Sequence, residues 1–273
     1  MDAFLTPAQM AESCAASGAV KAKRPAAQLL VLGILAGAFI AFGCAATNTA
    51  AYGIADVWTA RTVSALLFPF GLGMVIVMGA ELFTGNSLIC VSLLSGRCTL
   101  SGMLRNWVIV YLANLLGALL VAGGCAFFGQ MNYSGGQLAL YTMKLAAGKC
   151  ALPFGNAFVL GALCNVLVCT AVLMASTAKD TAGRLMAAYF PVCFFVLAGF
   201  EHSVANMYYI AAGLMAKTVP AYAQLAIEAG LDLSALTLRG FLLSNLLPVT
   251  VGNVVGGVLV GVAVWFCHLR KAN

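Results

Sequence analysis

The chain has 273 residues, of which 63% are apolar and 8% charged, with a formal net charge of +6. A soluble domain carries about 25% charge, so this much apolar surface calls for a bilayer as its solvent. The basic excess sits in short connections, where it sets topology, which argues against a nucleic-acid face.

The first 20 residues mix polar and small side chains, with no basic stretch leading straight into a short apolar core, so no cleavable signal is expected. Residues 1–24 read as a cytoplasmic N-terminal segment. After Lys21, Lys23 and Arg24, the first predicted span covers 26–46. The second covers 63–80, is interrupted at Glu81 and resumes over 87–94. The third and fourth cover 107–129 and 153–175. The fifth starts near Leu185, breaks after Phe200 and resumes over 207–215, and the sixth covers 241–267. Gly135 and Gly136 mark one loop, and 218–238 is polar enough to be another, with a short helix over 222–229. The expectation is an all-α membrane protein: a six-helix pore domain over 25–270, without a soluble domain. If both termini are cytoplasmic, the inside holds Lys21, Lys23, Arg24, Arg97, Arg105, Lys179, Arg184, Arg270 and Lys271. The outside then holds Arg61, Lys144, Lys149, Lys217 and Arg239, a balance that the positive-inside rule favours.

Two segments share the pattern G-x-E-x4-N: Gly79 with Glu81 and Asn86, and Gly199 with Glu201 and Asn206. A second echo, N-x2-G, joins Asn114 and Gly117 in the third span to Asn253 and Gly256 in the sixth. These offsets are near half the chain, so the halves are read as repeats over about 25–130 and 150–270. Three spans per half forces them to be inverted, as in many transport proteins. The repeated element is a broken helix, which survives in a membrane only when buried in protein or lining a wet cavity.

Glu81 and Glu201 are the sole acids at membrane depth, at matching places in the second and fifth helices. His202 is one of two histidines, the other being His268 near the C-terminus. An ionisable group at this depth is a functional candidate. His202 either holds and hands over a proton or stays neutral and hydrogen-bonds across helices. Thr84 offers a hydroxyl in the opposite break, and Asn165 in the fourth span needs a partner. Gly33, Gly37, Gly252, Gly256 and Gly257 suit close helix contact. The ten cysteines include no CxxC pair and read as packing residues. There is no P-loop, HExxH or dinucleotide fingerprint. No enzyme activity, cofactor or metal is expected.

The runs from Gly199 to Met207, Glu81 to Asn86, Asn245 to Asn253 and Leu163 to Cys169 resemble the signature of the formate/nitrite transporter family. The resemblance covers nearly the whole chain from Lys23 onward. It implies an aquaporin-like fold of six spans in the inner (plasma) membrane, with five identical protomers in a ring and a pore in each. It also implies that His202 is the central pore histidine, faced by Thr84 and contacted by Asn165. Phe68, Leu72, Leu82, Phe83, Val168 and Phe195 then form two apolar constrictions, Lys149 stands at the outer vestibule, and a helix within residues 1–24 can shift the pore opening. The substrates implied are formate first, then nitrite or hydrosulfide, each related to a weak acid. The expected mechanism has Lys149 draw the anion in and Thr84 with His202 hydrogen-bond it. A proton supplied through His202 lets it pass as the neutral acid, since a bare charge at the bilayer centre costs several kcal/mol. Glu81, Asn86, Glu201 and Asn206 are expected as scaffold, with the two glutamates pinning the breaks through backbone hydrogen bonds away from the substrate. A water or glycerol channel would not need the histidine. The alternative of another class is a membrane anchor subunit of a redox enzyme, which would show paired haem histidines or a cysteine cluster.

Overall fold

A capping box opens the first helix: the Thr6 hydroxyl accepts from the Gln9 N–H, the Gln9 side chain accepts from the Thr6 N–H, and Pro7 takes the first helical position. This helix, α1 (Pro7–Lys23), buries the small stripe Ala11, Ala15, Gly18 and Ala22. The computed structural model describes residues 4–270. Residues 1–3 of the N-terminal segment and the inside charge assigned to Lys271 lie outside the described residues.

The apolar runs then fold as expected. The first crossing is α2 (Ala26–Ala51). The second is α3 (Val57–Leu67) continued by α4 (Pro69–Met78), a break, and the short helices α5 (Phe83–Asn86) and α6 (Ile89–Leu94). The third is α7 (Leu100–Phe127). At 26 and 28 residues, α2 and α7 exceed the roughly 20 that a bilayer requires. After a 3-10 turn come α8 (Tyr133–Cys150) and the fourth crossing, α9 (Phe154–Thr177). The fifth is α10 (Thr181–Leu197), a break, and α11 (Ser203–Thr218). A short helix, α12 (Pro220–Glu228), turns 95° from α11 where 218–238 was read as a loop with one helix. A π-helical segment (Gly240–Leu246) leads into α13 (Leu247–His268), the sixth crossing.

The helix α8 lies outside the six predicted spans and starts at the loop expected at Gly135 and Gly136. Gly135 and Gly136 do mark a turn, with φ of 64° and 91°, but the chain runs on helically from it. Leu138, Ala139, Thr142, Met143, Ala146 and Ala147 form one buried face at helical spacing.

Two helix pairs carry the closest contacts, α2 on α7 and α9 on α13. Glycine makes both possible. A Cβ at Gly37 would collide with the Asn114 backbone, and one at Gly117 with the Ile34 carbonyl. In the other pair, Gly252 faces the Phe158 carbonyl and Gly256 the Ala162 carbonyl in the same way. Backbones this close let dispersion and small polar contacts replace the hydrophobic drive that lipid removes. The outward surface is apolar, with Leu120, Phe128 and Leu259 exposed.

Candidate functional site

Each break begins with a glycine in the left-handed region, Gly79 at φ 64° and Gly199 at φ 74°. Three residues outside any helix follow before the next helix starts, the last of them, Leu82 or His202, extended. In the first break the Glu81 N–H reaches the Leu32 carbonyl at 3.2 Å, and in the second the Glu201 N–H reaches the Leu160 carbonyl at 3.3 Å. An asparagine from another helix satisfies the remaining groups. Asn114 donates to the carbonyls of Gly33 (2.8 Å) and Glu81 (2.9 Å) and accepts from the Phe83 N–H (2.9 Å). Asn253 donates to the carbonyls of Gly161 (2.8 Å) and Glu201 (3.0 Å) and accepts from the Ser203 N–H (2.9 Å). Buried backbone groups without such partners would make the breaks untenable.

The glutamates therefore do something other than expected. Their carboxylates bond side chains, and the pinning of the backbone falls to Asn114 and Asn253. Glu81, 1% exposed, accepts from Lys21 (3.2 Å), Arg24 (2.8 Å) and Asn86 (2.6 Å). Glu201, 5% exposed, accepts from Lys149 (2.8 Å) and Asn206 (2.6 Å). Asn86 continues to Asn106, and Asn206 to Asn245, each at 2.8 Å. Asn106 and Asn245 in turn donate to the backbone carbonyls of Lys21 and Lys149. Burying a carboxylate is costly unless it is paired and hydrogen-bonded, as both are. Lys21, Arg24, Asn106 and Asn245 were missed as site residues; the first two carry charge beside a span and were read only as topology signals.

His202 caps α11, its Nδ1 accepting from the Ala205 N–H at 3.0 Å. Its Nε2 lies 3.0 Å from the Thr84 hydroxyl. With Nδ1 occupied as an acceptor, the neutral ring carries its hydrogen on Nε2 and donates to Thr84. The Thr84 hydroxyl hydrogen is then left to point elsewhere. Thr84 is fully buried, and His202 is 3% exposed. No hydrogen bond joins Asn165 to the histidine, and the Asn165 Oδ1 has no hydrogen-bond partner among the described residues. The Asn165 amide donates to the Thr84 carbonyl (3.2 Å), the Ser87 hydroxyl (3.3 Å) and the Asn253 carbonyl (2.6 Å), so its hydrogens are used on backbone and hydroxyl groups freed around the break.

Two cavities approach this pair. One, of about 750 Å³, lies between α3, α8, α10 and the second break and reaches His202. Lys149, Glu201, Phe68 and Phe195 line it. Phe195 stacks on the His202 ring at 5.8 Å and meets Phe68 edge-on at 5.6 Å. The other cavity, of about 140 Å³, is covered by α1, with Cys14 and Lys21 on one wall and Gly85, the neighbour of Thr84, on another. Leu72, Leu82, Phe83 and Val168 line neither of these cavities; all four are buried in the apolar cluster that also holds Phe68 and Phe195.

The chain matches the family described as Formate/nitrite transporter over residues 8–266. It is 36% identical to the formate channel FocA of Escherichia coli (strain K12) over 273 residues, covering 98% of this chain and 96% of that one. It is 34% identical to a probable formate transporter of Methanothermobacter thermautotrophicus over 287 residues, with 98% of each covered. Among solved structures, a pentameric formate channel with formate bound superposes with a TM-score of 0.79 at 32% identity, covering 90% of this chain and 98% of that one.

Proposed function

The chain belongs to the formate/nitrite transporter family, and we propose that each protomer passes formate through a pore centred on Thr84 and His202. The observation that carries this reading is the buried Thr84–His202 hydrogen bond, which leaves the Thr84 hydroxyl hydrogen free, with one cavity reaching His202 and another reaching Gly85 beside Thr84. A passage lined only by Phe68, Phe195 and their neighbours would refuse an anion. Desolvated donors at its midpoint lower that barrier, because hydrogen bonds to a charged acceptor are about twice as strong as neutral ones. Similarity to a pentameric channel supports a ring of five identical protomers in the inner membrane. The charge balance supports cytoplasmic termini, so the large cavity beside α8 opens outward and the small one beneath α1 opens inward.

Passage is proton-linked in this proposal. Lys149 lines the outer cavity as a hydrogen-bond donor while paired with Glu201, and the proton joins the anion before the apolar constriction. Standing protonation of His202 would place a second hydrogen on Nδ1, against the Ala205 N–H, so the ring acts as an Nε2–H donor and any positive charge on it is transient. Nitrite and hydrosulfide share the charge and size and enter as competitors.

Formate uptake into proteoliposomes, with and without an imposed pH gradient, tests both parts. Uptake is expected to rise when the outside is acidic, and flux indifferent to the gradient would remove the proton. His202→Asn keeps a side chain able to cap α11 but withdraws the donor from Thr84. A tenfold or greater loss is expected on the order of one missing charged hydrogen bond, and wild-type flux would exclude His202.

A further inference from the structure

The large cavity holds two cations that the arrangement above leaves unused. Among its lining residues the acid is Glu201, and Lys149 neutralises it at 2.8 Å while lying over the Tyr209 ring. Arg61 on α3 and Lys144 on α8 line the same cavity, and neither makes a hydrogen bond or ion pair among the described residues. Both are exposed within it. The cavity beneath α1 differs: Lys21 and the nearby Arg24 are both bonded to Glu81.

Arg61 is placed by the break itself. A Cβ on Gly199 would stand 2.9 Å from its Nη1, 3.5 Å from Cζ and 3.6 Å from Nη2. The whole guanidinium therefore rests in the notch that a glycine leaves, three residues before His202. The left-handed φ of Gly199 already disfavours any side chain there, so one residue both makes the break and seats the guanidinium.

A planar fork of N–H donors recognises two oxygens on one atom, which a point charge does not. We propose that Arg61 is a selectivity residue of the outer mouth, holding anions of the O–X–O type, carboxylate or nitrite, in preference to one-centre anions such as hydrosulfide. Lys144 adds charge without discrimination. This inference rests on the pore reading and narrows it: the cavity favours formate and nitrite over hydrosulfide before either reaches His202.

Uptake of labelled formate into proteoliposomes, with nitrite or hydrosulfide as competitor, tests it. Arg61→Lys keeps the charge and loses the fork. Its half-saturating formate and inhibitory nitrite concentrations are expected to rise about threefold, the scale of an exposed ion pair, with the hydrosulfide value unchanged. Arg61→Gln is expected to weaken all three, the oxyanions most, and to flatten the ionic-strength dependence. Lys144→Gln is expected to weaken all three equally. Formate-to-hydrosulfide ratios that stay at the wild-type value in both Arg61 variants would overturn the proposal. A wild-type protein that carries no formate would instead sink the pore reading.

Discussion

At the scale of single residues, the scaffold of the pore is two asparagines. Asn114 and Asn253 each hold two carbonyls and one N–H that hydrocarbon could not satisfy. Asn114→Asp or Asn253→Asp is nearly isosteric and keeps the acceptor, but replaces two donated bonds with lone pairs facing carbonyls. Each orphaned carbonyl costs about 1–3 kcal/mol, and a buried charge adds to that. Either variant is expected to lose most of its assembled protein after detergent extraction, read by size-exclusion chromatography and thermal unfolding. A midpoint matching wild type would show that the breaks are held otherwise. Glu81 and Glu201 were legible in the sequence because acids at membrane depth are rare. Their partners were less so, since Asn114 lies 33 residues from Glu81 and spacing does not say which side chain reaches a break. The N-x2-G echo was the available signal. Asn165 spends its amide hydrogens on the Thr84 and Asn253 carbonyls and the Ser87 hydroxyl, which spacing along the chain does not reveal.

At the scale of elements, the spans were legible and the helices beside them were not. Long apolar runs announce α2, α7, α9 and α13 directly. The helix α8 hides because its buried face mixes alanine with Thr142, Leu138 and Met143, and two glycines stand near its start. The sequence also showed where helices touch, in the glycines of the first and sixth spans. Gly252 faces the Phe158 carbonyl with no room for a Cβ, whereas a Cβ on Gly155 in the same helix pair would meet nothing. Gly252→Ala must push α13 away from α9 and, through Asn253, loosen the second break. It is expected to lower the unfolding midpoint of the assembled protein and reduce formate flux, while Gly155→Ala leaves both unchanged. Equal behaviour of the two variants would show that α9 and α13 tolerate separation.

At the scale of the molecule, the bonds around one break recur around the other, and this supports reading the halves as inverted copies. Lys21 matches Lys149 in this scheme, donating to a break glutamate and accepting from an asparagine through its backbone carbonyl. The helix α1 then belongs with the first copy as α8 does with the second, and residues 1–24 are better counted inside the repeat than before it. The copies differ at the proposed pore centre: Leu82 occupies the position equivalent to His202, and Val204 the position equivalent to Thr84. They differ also at their mouths, about 140 Å³ under α1 against about 750 Å³ beside α8. The helix α1 is fastened in its N-terminal half by Glu12 and Arg97, two bonds of 2.6 and 2.8 Å. Arg97 holds the Glu12 carboxyl below the usual carboxylate range. The bridge is therefore complete above that range and is lost only as pH falls through the lowered value, so it is constant over about pH 6 to 8. Cys14 reports on the fastening, because it lines the small cavity and burial pushes its thiol up to about 11. Lifting α1 restores an ordinary thiol, whose thiolate fraction near neutrality is far higher. Arg97→Gln is expected to raise the rate at which a maleimide in inverted vesicles modifies Cys14 by about threefold, the scale of an exposed ion pair. The rate is taken as the difference from the same protein carrying Cys14→Ser, and the enhancement should hold from about pH 6 to 8. An unchanged rate would mean that Ser92 bonding to Ala15 and the cations on Glu81 hold α1 closed unaided.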